Sequence, residues 1–193
     1  MPSVRVQGAD ASDFQEAPLP EVHVMPLVVT PSGLTIRRYC PADHDAIWEV
    51  HNLALDQVDA HGGNGPWDDD LHDIETVYLA NGGEFLVGEW EGRIVSMGAL
   101  KRLADAPPAS AQDSHAEVTR MRVHPDHQRR GHGRAILCAL EARAQQLGHT
   151  HLHLDTTARQ IGAQRLYESH GYRRVGATPW GRFTVLAYEK ELA

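Results

Sequence analysis

The stretch Val123-His-Pro-Asp-His-Gln-Arg-Arg-Gly-His-Gly-Arg134 decides how the rest of the chain is read. A strand-like segment ends at Val123, Pro125 opens a turn, and Gly131 and Gly133 lead into a helix. Free backbone N–H groups gather at a helix N-terminus, and the helix dipole favours an anion there. Glycine lets the main chain approach a pyrophosphate with no Cβ in the way. Arg129, Arg130 and Arg134 add positive charge at this point, in a chain with 26 acidic and 18 basic residues. A diphosphate is the ligand that suits all of these features. No lysine follows the glycines as a P-loop requires, and Ile136 stands where a dinucleotide fingerprint needs its third glycine.

Outward from this stretch, alternation and helical spacing lay out the remaining elements. Upstream, Leu34–Tyr39 alternates like a strand, and Asp43 can cap a helix with apolar positions Ile47, Val50, Ala54 and Val58. A glycine-rich loop follows at residues 61–66. Asp68–Asp70 then place negative charge at the start of a second helix carrying Leu71, Ile74, Val77 and Tyr78. Phe85–Trp90 and Arg93–Leu100 form a hairpin around Glu91-Gly92, and Ala104–Ser114, with Pro107-Pro108, is a surface loop. Glu117–Val123 is a strand and Gly131–Leu147 a helix that Gly148 stops. His151–Asp155 (strand), Gln160–His170 (helix) and two strands within Tyr172–Leu192 complete the chain. This order predicts an α/β fold, a mixed sheet with helices on both faces.

Three segments together resemble the GNAT acetyltransferase superfamily. Gln128-Arg-Arg-Gly-His-Gly133 follows its coenzyme A pattern, [QR]xxGx[GA] after a strand ending in Val-x-Pro. Glu117-Val-Thr-Arg-Met-Arg-Val123 resembles the family's fourth strand. Gln160-Ile-Gly-Ala-Gln-Arg-Leu-Tyr-Glu-Ser-His-Gly-Tyr172 resembles its NxxAxxLYxxxGF motif, with Gln160 in place of Asn and Tyr172 in place of Phe. The resemblance implies an acyl-CoA N-acyltransferase fold, a mixed, mostly antiparallel sheet with splayed central strands flanked by helices. It also implies acetyl-CoA as co-substrate. The pantetheine arm would lie in the splay along Met121-Arg122-Val123, bonded to the backbone of Met121 and Val123. The main chain of Arg129, Arg130, Gly131, His132, Gly133 and Arg134 would hold the pyrophosphate. Gln128 belongs to the same loop, and Gln160 would reach the coenzyme arm.

Acetyl transfer to an amine needs a neutral nucleophile, an oxyanion donor and an acid for the departing thiolate. The resemblance puts Tyr167 near the coenzyme sulfur, where its hydroxyl can protonate the thiolate; the competing reading is a tyrosine that packs its helix against the sheet. Glu117 is the candidate base, set against a solvated strand carboxylate. The amide of Met121 could polarise the thioester carbonyl. His149, His151, His153 and Asp155 share a strand face, which raises a metal site or a second base. Leu152 and Leu154 explain that strand as half-buried without either, so no metal is expected. Trp67 could wall an acceptor pocket and Asp68–Asp70 attract its ammonium, or the aspartates could simply cap a helix.

At 193 residues the chain fits one domain, expected as a GNAT domain over residues 33–193 behind a flexible, proline-interrupted extension over 1–32. Within that extension, Val22–Val29 could still lie against the domain as an irregular strand. The net charge of −8 argues against nucleic-acid binding. No apolar run approaches the ~18 residues of a membrane span, no secretory signal is evident, and two cysteines make no disulfide framework. A cytoplasmic enzyme is expected, with a small-molecule amine as partner, a homodimer possible, and neither nucleic acid nor membrane. Protein N-termini or lysines as acceptors, and a non-catalytic acyl-CoA-binding module, are the alternatives.

Overall fold

In the computed structural model the described residues are 26–103 and 114–192. They form one sheet of eight strands: β1 (Pro26–Val29), β2 (Thr35–Arg38), β3 (Glu84–Trp90), β4 (Arg93–Leu103), β5 (His115–Val123), β6 (His151–Thr157), β7 (Arg173–Trp180) and β8 (Phe183–Glu191). Their order is β1-β2-β3-β4-β5-β6-β8-β7. Only β5 and β6 run parallel; the other neighbours are antiparallel. The helices are α1 (His44–Asp56), α2 (His132–Gln146) and α3 (Ile161–Ser169).

Strand alternation divides the apolar side chains between two layers. Leu86 packs with Leu34, Ile36 and Val95 against Ile136, Leu137 and Leu140 of α2, and Tyr167 of α3 joins this layer. Phe85 and Val87, its neighbours along β3, face the other way and meet Ile47 and Val50 of α1 with Met97 and Tyr78. Helices therefore cover both faces, as the element order predicts.

Two expectations change. Leu71, Ile74 and Tyr78 are buried at helical spacing, yet no continuous second helix forms. A 3-10 stretch, Pro66–Leu71, is separated from a π-helical turn, Glu75–Leu79. The Asp73 carboxylate accepts from the Thr76 amide at 3.2 Å, restarting the chain between the two pieces. Asp68 is not a helix cap; it is 3% exposed and turned inward. Part of the stretch read as an extension also lies in the sheet: β1 pairs with β2 from Pro26↔Arg37 to Val29↔Thr35. Residues 1–25 and the loop with Pro107-Pro108 lie outside the described residues.

Candidate active site

The sheet opens in its middle. β5 pairs with β6 only through His115↔His151, Ala116↔Leu152 and Glu117↔His153, and beyond Glu117 the strands part. On its other edge β5 carries a bulge: β4 partners Ala99↔Thr119 and Met97↔Arg122, so β5 holds one residue more than β4 between these pairs. Arg120 takes up the extra length at φ 54°, in the left-handed region. Gly98 of β4 faces this bulge. A Cβ there would stand 2.7 Å from both the Met121 sulfur and Ile136, so only glycine lets the bulge and α2 close on each other.

Two cavities open into the split, of about 370 Å³ and 910 Å³. Met121, Arg122, Gln160 and Tyr167 line both. The smaller runs from this seam to the N-terminus of α2, where Gly131 caps the helix at φ +86° and Arg129 is left-handed at φ 59°. The first amides of α2 have no intrahelical partner and face this groove. Of the residues expected to hold the coenzyme, all but Arg130 line the groove. The Arg130 guanidinium lies 5.2 Å over the Trp90 ring in a cation–π contact, which leaves its main chain as the part that can face the pyrophosphate.

Three expected contacts are partly occupied within the protein. The Gln128 amide donates to Val123 O at 3.2 Å and to Gln57 Oε1 at 2.6 Å, tying the loop to the end of α1. Arg122 Nη1 donates to Met121 O at 2.8 Å. A carbonyl has two lone pairs, so one remains on each of these β5 carbonyls. Gln160 Oε1 accepts from Thr156 Oγ1 (3.1 Å), Thr157 Oγ1 (3.1 Å) and Thr157 N (3.0 Å). Its NH₂ end is what remains for the groove.

Side chains brought together from distant segments line the larger cavity. Arg120 Nη1 donates to Asp68 Oδ1 at 2.8 Å and its Nε to Asp70 Oδ2 at 2.8 Å, with further short bonds to Asp70 Oδ1 and Trp67 O. Tyr78 closes the cluster with a short hydrogen bond to Asp70. Asp70 is thus spent on Arg120 and Tyr78, whereas Asp68 keeps its Oδ2 buried without a partner beside the same cavity. His51, fully buried on α1, has Nε2 3.3 Å from Asp68 Oδ1. Burial, then Arg122 and Arg120, push its pKa down to about 2, so the ring is neutral. At the rim, Trp67 and Trp180 stand at right angles, ring centroids 5.6 Å apart.

Glu117 and Tyr167 both reach this cavity. Burial raises the Glu117 pKa; Lys101 opposes the rise and Asp155 adds to it. Burial lifts the Tyr167 hydroxyl to about 12, with the Arg122 charge pulling the other way. Both directions suit the roles expected of them: a carboxylate keen to take a proton, and a phenol that keeps its own until a thiolate demands it. The histidine face divides. His153 Nε2 lies 2.7 Å from His115 Nδ1 and His151 stacks on His115 at 4.7 Å, whereas His149 turns inward to Ser114 Oγ at 2.9 Å. Among the described residues no group of three has the disposition to hold a metal ion.

Sequence reasoning missed the side-chain roles of His51, Arg120 and Arg122. His51 had a signal, since it falls between Ile47 and Ala54 on the apolar stripe of α1. The left-handed turn at Arg120 had none.

A family model described as the acetyltransferase (GNAT) family matches residues 47–172. Human N-acetyltransferase 8 is 30% identical over 122 residues, which are 61% of this chain and 52% of that protein. Mouse N-acetylaspartate synthetase is 32% identical over 114 residues, 56% of this chain and 34% of that protein. The chain therefore spans about half the length of these curated relatives, or less. A Salmonella typhimurium protein solved with its cofactor acetyl-CoA shares the fold at TM-score 0.65 and 22% identity, over 83% of this chain and 94% of that one. With the family model spanning well over half of its 193 residues, this chain belongs to the GNAT acetyltransferase family.

Proposed function

We propose that this protein transfers an acetyl group directly from acetyl-CoA to the primary amine of a small molecule, within a ternary complex. The observation that carries this reading is the meeting of two cavities at one seam, with Met121, Arg122, Gln160 and Tyr167 common to both walls. Coenzyme in the smaller groove and acceptor in the larger then bring their reacting atoms together without a covalent enzyme intermediate. Among the matched relatives, the name N-acetylaspartate synthetase specifies a small-molecule product, which favours such an acceptor here.

In this reading the amides at the start of α2 and of Arg129–Gly131 hold the pyrophosphate, and the parted edge of β5 holds the pantetheine arm. Glu117 takes a proton from the acceptor ammonium, directly or through water, freeing the nitrogen lone pair. The nitrogen attacks the thioester carbonyl, whose oxygen is stabilised by the Met121 amide at the bulge. The C–S bond then breaks, Tyr167 protonates the leaving thiolate, and the second proton, shed by the nitrogen as the neutral amide forms, returns to Tyr167 through solvent. A cytoplasmic setting belongs to this reading: both cysteines, Cys40 and Cys138, are free thiols, and none of the described helices is long and apolar enough to cross a membrane.

The test is thiol release from acetyl-CoA by the purified protein, offered in parallel a panel of small amines and a set of peptides with free N-termini and lysines. Release with small amines, and recovery of the N-acetylated product, is expected. Release with peptides alone would move the acceptor class to proteins. Coenzyme binding with no release from any acceptor would leave a non-catalytic binding module.

A further inference from the structure

The described arginines sort by what their charge meets. Arg37 pairs with Asp43 at 2.7 Å and Glu89 at 3.1 Å, Arg143 with Glu84 at 2.9 Å, and Arg120 with Asp68 and Asp70. Among the described residues, those with no carboxylate in ion-pair range lie exposed on the surface, with one exception. Arg122 is enclosed at the seam of the two cavities and pairs with no described carboxylate. One of its N–H groups donates to Met121 O at 2.8 Å, and its Nε is buried with no partner. Enclosure and the repulsion of Arg120 lower its pKa to about 10, so it is still a cation at neutral pH; Asp68 and Asp70 attract it only from beyond ion-pair distance.

A guanidinium largely withdrawn from solvent, with its Nε shut off and unpartnered, is a costly arrangement unless an anion arrives to meet it. The coenzyme's phosphates are expected elsewhere, at the glycine loop with its own cations, and a thioester is neutral before attack. The seam is also where the acceptor nitrogen must come to rest. A plain alkylammonium finds the carboxylates of Glu117 and Asp155 on this wall but leaves Arg122 unpaired, whereas a zwitterion also brings the missing partner. The planar fork of arginine matches a carboxylate, which can take two parallel hydrogen bonds.

We propose that Arg122 anchors a carboxylate carried by the acceptor beside its reacting amine, so that the substrate class is amino acids rather than plain alkylamines. This rests on the acetyl-transfer reading above. It assigns the Arg122 side chain a role separate from the backbone contacts that β5 makes to the coenzyme.

The experiment compares each of a panel of L-amino acids with its own C-terminal amide, at saturating acetyl-CoA. The amide keeps shape and stereochemistry and loses only the negative charge; its less basic amine is more available for attack, so any preference for the acid measures the carboxylate. Wild type is expected to favour at least one acid over its amide by about 10²-fold or more in kcat/KM, because a buried donor set left unpaired is what rejects the analogue. In Arg122→Gln that ratio should shrink at least about tenfold, with partial recovery in Arg122→Lys, which restores charge without the fork. Both variants should melt no lower than wild type, since a buried unpaired cation is removed or made more mobile. Equal use of acid and amide by wild type, or an unchanged ratio in Arg122→Gln, overturns the proposal. So does weakened acetyl-CoA binding in calorimetry with acid and amide slowed alike, which would give the cation to the coenzyme. A marked fall in melting temperature in both variants would make Arg122 a structural brace and overturn it too. Should no acceptor be acetylated, the transfer reading fails by itself. The anchor is then decided by titrating the same amino acids into CoA-saturated protein: binding that Arg122→Gln loses upholds it, and no binding to wild type refutes it.

Discussion

The two ends of the site are made of different material. The groove at the start of α2 is built of backbone: left-handed turns at Arg129 and Gly131, amides at a helix end, and side chains such as Arg130 that point elsewhere. The larger cavity is built of side chains, with Arg120, Asp68, Asp70, Tyr78 and His51 drawn from segments far apart in the chain. A backbone site tolerates most side-chain changes and suffers from a change of backbone conformation. The charge cluster behaves in the opposite way, because each member neutralises or bonds the next.

The sharpest way to break this contrast is to remove the hub of the cluster. Arg120→Met leaves Asp68 and Asp70 without their counter-ion, and is expected to cost about 3–5 kcal/mol of stability in denaturant unfolding. A loss under ~1 kcal/mol would mean that the cluster is hydrated and holds nothing together. Next comes Tyr167→Phe, which keeps the ring within its apolar layer and deletes the hydroxyl at the seam. Turnover should fall about 10²-fold with acetyl-CoA affinity little changed, as stopped-flow and calorimetry together would show.

Glu117→Gln should slow the reaction about tenfold near neutral pH and remove the acid limb of the rate profile, whose midpoint in wild type lies above the ordinary carboxylate range. The same substitution tests a linkage. A carboxyl whose folded pKa is raised binds its proton more tightly in the folded state, so its contribution favours folding at low pH and is lost as pH rises through the folded pKa. Glu117→Gln should flatten that part of the stability profile, read by melting temperature from pH 4 to 8; an unaltered slope would show that other groups set it. At the backbone end, Gly131→Ala meets open space but must hold φ +86°, a strain of about 1–2 kcal/mol that should appear as weaker coenzyme binding, lower stability or both. Arg130→Ala is the mildest change: less than about twofold in acetyl-CoA affinity, because a surface charge turned onto Trp90 contributes little. A large salt-dependent loss there would show that this end, too, relies on side chains.

The same contrast explains what could be read from the sequence. Gln128–Arg134 spans one turn and one helix start, so its glycines and arginines announce their geometry locally. The alternation of β3 and the stripe of α1 are likewise local and were legible. The acceptor side depends on where the chain returns to itself. Asp68 and Asp70 looked like residues of a helix start because nothing nearby in sequence shows that Arg120 will claim them. That long-range ion cluster overrides the helical spacing of Leu71, Ile74 and Tyr78 and leaves a 3-10 stretch and a π turn in its place. Arg120 and Arg122 read as alternating strand residues until the bulge opposite Gly98 reveals that one is tied up and the other is not.

The three-residue pairing of β5 with β6 also bears on how the molecule comes apart. Strands β3, β4 and β5 on one side, and β6, β8 and β7 on the other, are each laced by long ladders, with only that short ladder pairing β5 to β6. One apolar layer spans both halves, so the place where the sheet is expected to open first is the unpaired part of this seam rather than the core beneath it. Amide hydrogen exchange would see this as faster exchange at Val118–Val123 than in β4 beside it. A pantetheine arm bonded along that edge would act as a lacing strand, slowing exchange on both halves and raising their cooperativity.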